Sequence, residues 1–191
     1  AGTGRDGTTV NVTRKIGPIG INANIDNSAN DSAVQVFVGN ATSRTTTITS
    51  TEEGVHAETT GNGSVTTTLG SHVTIDPDNY GVYNYAPGNV STVNLGSHDS
   101  ITVDDNVVPG SDNTNIGVYA ASDVTTGSAV SVNGGTNDTI VVEDTNDHDV
   151  DNGIGIEALD SAIGNASVSV NMGNSLSITI TGDNSVGILA S

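Results

Sequence analysis

The chain of 191 residues contains no cysteine and no tryptophan, only four lysines and arginines together, four prolines, and 3% aromatic residues. Without cysteine it can build neither a disulfide scaffold nor a thiolate metal site. Four bases against 22 acids give a formal net charge of -18. A nucleic-acid partner needs a basic face to displace counterions from phosphates, and this chain cannot supply one. An anionic membrane surface repels it for the same reason. No stretch of about 18 apolar residues is present, so membrane insertion is not expected. Ala1 opens directly into polar, Gly-rich sequence with no signal-peptide pattern. Straight-chain helix formers are scarce, with 5 Leu, 5 Glu and 1 Met, so no long helix is expected.

What is abundant is of one kind. There are 24 Val, 15 Ile and 26 Thr, with 20 Ser beside them. Side chains branched at Cβ are stiff at χ1 and fit a pleated surface. High charge and few aromatics could also mean disorder. Ile, Leu, Val and Phe nevertheless occupy 45 of the 191 positions, above the level at which disorder is the default. Their spacing decides for strands.

A tetrapeptide recurs, Gly followed by Ile or Val, any residue, then Ala or Asn. It begins at Gly20, Gly54, Gly81, Gly117, Gly155 and Gly187, at intervals of 34, 27, 36, 38 and 32 residues. Self-similarity of this period is the mark of a solenoid or a related array. Two short alternating segments follow each copy. The first set is Val34–Val36, Val65–Leu69, Val90–Leu95, Val130–Val132 and Val168–Val170. The second is Thr47–Ile48, Val73–Ile75, Ile101–Val103, Ile140–Val142 and Ile178–Ile180. Alternation over so few residues gives one buried face and one wet face. Three strands per repeat with polar corners match one turn of a parallel β-helix, in which each turn is stable only against its neighbours. The fold expected is all-β, a right-handed parallel β-helix of about five full turns over residues 1–191, read as a single repeat segment. The rival is an antiparallel β-sandwich, which gives no reason for the same tetrapeptide after every third strand.

The segments Gly117-Val118-Tyr119-Ala120, Ser128 to Asn133 and Asp138 to Val142 resemble the passenger regions of bacterial autotransporter adhesins. The resemblance runs over about residues 8–190 and is one of repeat style. It implies an extracellular location on the bacterial cell surface and a role in adhesion, with a host or bacterial glycan or protein as partner. The chain departs from that family's pattern in having neither the N-terminal signal nor the C-terminal barrel, and in its long turns. Thr8 to Val12 reads as the last strand of an earlier turn, and Gly187 to Ala190 as the first strand of a further one. This leads to the expectation of a piece of a longer passenger. The alternative is a self-assembling extracellular matrix filament, an end-to-end homo-oligomer joined through its open strand edges.

Three groups of residues are candidate sites. The variable position of the tetrapeptide points outward and reads Asn22, His56, Tyr83, Tyr119, Glu157, Leu189 along the stack. Tyr85, two residues beyond Tyr83, shares that face. His56, Tyr83, Tyr85 and Tyr119 are thus the expected ligand contacts, since a tyrosine offers a flat ring with a polar tip. The plainer explanation is ring stacking between adjacent strands, worth about 0.2–1 kcal/mol per pair. Acids cluster at the corners before the tetrapeptide, and calcium would relieve their repulsion. Asp147, Asp149 and Asp151 form the best loop for it, followed by Asp76 and Asp78. Neither loop is an EF-hand, and a solvated acidic corner accounts for them as simply. His72 and His98 share the context Leu-Gly-Ser-His and are expected to stack.

Other chemistries find little support. Seven Asn-x-Ser/Thr sites occur, a number explained by the Asn, Ser and Thr content alone. Thr-rich segments such as Thr66 to Thr68 fall short of a regular Thr array on every turn. Polysaccharide-degrading β-helices are the main enzymatic rival, and they need carboxylates paired across a cleft. The acids fall at corners, the four bases all lie in the first 44 residues, and neither Gly-x-Ser-x-Gly nor His-Glu-x-x-His is present, so a non-enzymatic protein with no cofactor beyond calcium is expected.

Overall fold

The computed structural model describes residues 18–39, 45–104, 115–123, 129–143, 153–161, 167–182 and 184–191. Sixteen strands run through them, arranged as three sheets. The first sheet stacks β1 (Ile19–Ile25), β4 (Glu53–Thr59), β7 (Tyr80–Tyr85), β10 (Ile116–Ser122), β13 (Ile154–Asp160) and β16 (Val186–Ala190). The second stacks β2 (Val34–Val38), β5 (Val65–Leu69), β8 (Ser91–Asn94), β11 (Ala129–Asn133) and β14 (Ser167–Asn171). The third stacks β3 (Thr46–Thr49), β6 (Val73–Asp76), β9 (Ser100–Asp104), β12 (Thr139–Glu143) and β15 (Ser177–Ile180). Every strand pairs in parallel with its equivalent one turn away. The chain therefore winds as a right-handed parallel β-helix of about five turns, and the sandwich is excluded. The segment Thr8 to Val12 lies outside the described residues.

The core is a set of columns, one residue from each turn. Val55, Val82, Val118 and Ile156 line the first sheet inside, and Ile48, Ile75, Ile101 and Ile140 line the third, all fully buried. Valine and isoleucine dominate because an inward side chain meets its own equivalent above and below. A branched, rotamerically stiff residue repeats well at that spacing, about 4.8 Å between strands.

The tetrapeptide glycine has a steric cause. A Cβ at Gly20, Gly54, Gly81, Gly117 or Gly155 would lie 2.1–2.6 Å from the Cγ2 of Ile48, Ile75, Ile101, Ile140 or Ile178 respectively. It would also lie 2.3–2.6 Å from the carbonyl oxygen of the next glycine in the column. The first and third sheets meet here, and only glycine leaves room for the isoleucine column. The residue after the glycine is buried as well, so the strict two-residue alternation breaks once in β4 and once in β7. Pairing accordingly passes from Ile19↔Glu53 to Ile21↔Val55.

The corner between the second and third sheets repeats too. His72, His98, Asn137 and Ser175 have φ between 59° and 63°, the left-handed region. The residues that follow face inward: Val73, Asp99 and Asp138 are all buried. Two carboxylates thus occupy a position where another turn carries valine.

Candidate functional site

The outward face of the first sheet holds all four tyrosines. Register places Asn22, His56, Tyr83, Tyr119, Glu157 and Leu189 in one column, as the tetrapeptide spacing predicts. The His56 and Tyr83 rings stack with centroids 4.7 Å apart and planes 13° apart. Tyr83 and Tyr119 stack at 5.1 Å and 18°. Within this stack each ring covers the next, so Tyr83 is covered on both faces and presents its edge and hydroxyl outward. Between neighbouring strands the stacking is therefore internal to the sheet, as the plainer sequence reading held.

Tyr80 is the member that sequence reasoning missed. It packs edge-on against Tyr83 at 5.4 Å and against Tyr119 at 6.0 Å. It precedes the tetrapeptide by one residue, and simple alternation cannot place it three residues from Tyr83 on the same face. The consecutive burial of Gly81 and Val82 does so. Tyr85 stands on the same face in the next column, between Glu58 and Ala121, and its hydroxyl donates to Asp123 Oδ2. Ser161 donates to the other oxygen of Asp123.

The two ends of the ring column differ electrostatically. His56 sits between two carboxylates: Nδ1 bonds Glu53 Oε2, and Nε2 bonds Glu58 Oε2 at 3.0 Å. Glu53, immediately before the tetrapeptide, lies within β4 on this face and not in the preceding corner. The hydrogen bond to Glu53 raises the His56 pKa above its usual 6.5, against the opposing effect of burial. At the other end Glu157 pairs in register with Tyr119. Burial alone raises the pKa of Glu157, and no cation faces it among the described residues. Burial also pushes the tyrosine hydroxyls up, Tyr119 to about 12, with Glu157 adding to the effect. Tyr80, Tyr83, Tyr119, Glu157, Ile116, Ile154 and Leu159 line an open groove of about 440 Å³.

Comparison with protein-family models, with curated proteins and with solved structures finds no match for the chain. Its chemistry rests on its own geometry.

The remaining candidates fare differently. Asp147, Asp149 and Asp151 lie outside the described residues. Asp76 ends β6 on the exposed side, and its pKa is raised by partial burial and then by Asp104. Among the described residues no group of three or more His, Asp or Glu is placed to hold a metal ion. His72 and His98 do stack, edge to face at 4.9 Å, at equivalent corner positions. The hydroxyl column Thr47, Thr74, Ser100, Thr139, Ser177 on the third sheet is continuous. The column beside it carries Asp76 and Val141, so no regular two-column Thr lattice forms.

Two clusters of buried polar side chains, one around Asp99 and Asp138 and one around Asn84, belong to the scaffold. Asp99 and Asp138 are each 2% exposed. Asp99 accepts hydrogen bonds from the amides of Val73, one turn away, at 2.9 Å and Gly96 at 2.7 Å. Asp138 Oδ1 accepts from the Asp99 amide at 3.1 Å, while its Oδ2 is buried without a partner. Burial pushes the Asp99 pKa up to about 6 despite those amide bonds, and the Asp138 charge adds to the rise. Asn84 replaces alanine in the inner column. Its amide donates to Val65 O and Ser91 Oγ at 3.1 Å and Thr92 O at 3.2 Å, and its oxygen accepts from Thr67 Oγ1 at 2.8 Å.

Proposed function

We propose that the chain is a rigid β-helical segment of an extracellular adhesin on the bacterial cell surface. The observation that carries this reading is the concentration of all four tyrosines, with His56, on one outward sheet face of a chain otherwise almost free of aromatics. Exposed aromatic clusters on a rigid scaffold are favoured contact points for a partner, because a tyrosine buries much area at small entropic cost. The scaffold adds a fixed, stalk-like geometry. About five turns rise only about 25 Å, so adhesion would draw its strength from many weak contacts repeated along a fibre. The role is passive and needs no catalysis.

The test is a cell- or surface-binding assay with the purified chain. Tyr83→Ala with Tyr119→Ala should abolish adhesion while the β-sheet circular dichroism is kept. Undiminished adhesion of that folded variant refutes the reading.

Self-assembly into a filament is the second reading. It is supported by the parallel, in-register stacking of every turn, a pattern that the turn of a second copy would continue. Light scattering decides it: growth of particle size with concentration supports a filament, and a strictly monomeric solution removes it.

A further inference from the structure

The ring column ends on one side at His56, an imidazole held between two carboxylates, and on the other at Tyr119, beside the carboxylate of Glu157. At the first end the His56 ring lies flat on Tyr83, within 4.7 Å, and two carboxylates, Glu53 and Glu58, bracket it. This is the arrangement in which a cation gains from an aromatic face and from a charge pair together. Tyr119 forms the other end of the two-tyrosine stack. One of its faces is covered by Tyr83, and no ring follows on the side of Glu157. A half-buried carboxylate therefore stands one strand beyond an aromatic face, with no base near it among the described residues. Lys and Arg total four, namely Arg5, Arg14, Lys15 and Arg44, and all fall outside the described residues.

We infer that the groove beside Tyr119 and Glu157 is a binding site for a cationic side chain, an arginine presented by a partner protein. The groove has the parts that such a residue needs. Tyr119 offers a face for the planar guanidinium, with Tyr80 edge-on beside it. Glu157 stands in the ring column one strand beyond Tyr119 and offers the opposite charge there. Ile116, Ile154 and Leu159 give an apolar wall for the methylene stem. The volume of about 440 Å³ accommodates one long side chain and its flanking backbone. A neutral sugar would use the ring and donate a hydroxyl to the carboxylate, but it would leave the negative charge without a counter-charge. The net charge of -18 further favours a basic partner by steering its approach. The inference deepens the adhesive reading, on which its biological meaning rests, by naming the partner's chemistry.

Because there is no tryptophan and three of the four tyrosines line the groove, intrinsic tyrosine fluorescence reports chiefly on this site. The probe is the peptide Gly-Arg-Gly-Arg-Gly, with the same peptide carrying citrulline in place of arginine as a neutral isostere. Saturable quenching by the arginine peptide and none by the citrulline peptide is the expected result. Glu157→Gln should weaken binding about tenfold, the loss of one partly desolvated charge pair. Glu143→Gln, an equal charge change on the third sheet, should leave the affinity within about twofold. Equal weakening by the two variants, or equal binding of both peptides, means general attraction and overturns the inference. So does the absence of saturable quenching. Failure here with adhesion still lost in the Tyr83→Ala, Tyr119→Ala variant refutes the arginine site alone. Arginine binding together with undiminished adhesion of that variant refutes the adhesive role instead.

Discussion

Alanine at Gly117 measures how tightly the first and third sheets are pressed together. A Cβ there would lie 2.4 Å from Ile140 Cγ2 and 2.6 Å from the carbonyl oxygen of Gly155. Carbon atoms pack best at about 3.5–4.0 Å, so Ile140 would have to retreat by roughly 1 Å. It cannot do so freely, since it is fully buried and its column neighbours Ile101 and Ile178 hold the adjacent turns. The carbonyl is backbone and cannot rotate away. Overpacking costs about 1–3 kcal/mol, and a backbone obstacle puts this site near the top, about 3 kcal/mol. Gly187 supplies the control: it has the same motif context, and a Cβ would meet nothing within 4 Å. Alanine there should be neutral, or stabilising by about 0.5 kcal/mol through the unfolded state. The assay is urea unfolding followed by tyrosine fluorescence and far-ultraviolet circular dichroism. With a slope near 2 kcal/mol per molar, Gly117→Ala should lower the midpoint by about 1.5 M. A midpoint within about 0.3 M of the parent, or an equal loss from Gly187→Ala, would refute the steric account of the repeat.

Two further predictions concern the buried polar groups. The folded-state pKa of Asp99, about 6, lies above its ordinary 3.8, so the folded chain holds that proton more tightly than the unfolded chain. The stability it contributes is complete below pH 3.8 and is lost as pH rises through about 6. The melting temperature should therefore fall between pH 4.5 and pH 7, and Asp99→Asn should flatten that fall; identical profiles for the two proteins would count against it. Asn84→Ala should cost about 1–3 kcal/mol by leaving Thr67 Oγ1 without its acceptor in the core and removing one of the two hydrogen bonds of Ser91. Adding Thr67→Val and Ser91→Val, the residue found at those inner positions one turn away, should recover most of the loss in chemical denaturation. A neutral Asn84→Ala would show that the network contributes nothing.

Much of this architecture was legible because the repeat is so literal. The tetrapeptide spacing placed β4, β7, β10 and β13 in register, and its variable position gave the column from Asn22 to Leu189 correctly. Alternating Val and Ile located the strands of the other two sheets to within a residue or two. Tyr80 and Glu53 escaped because two consecutive buried residues interrupt the alternation just where they lie. Asp99 and Asp138 escaped because an aspartate seldom faces a core. The signal was present nonetheless: each follows His98 or Asn137, at the position where Val73 follows His72.

The amino-acid sequence by itself determined the winding, since only stacked turns satisfy glycine and branched residues returning at every third strand. It also determined which side chains share a column, because period and parity are properties of the chain. Only the tertiary structure decided how the columns meet. Rings from three turns lie face to face, Glu53 and Glu58 close upon His56, and Glu157 faces Tyr119 with no base beside it among the described residues. Such pairings depend on side-chain orientation and on the few ångströms between strands, which no spacing along the chain records.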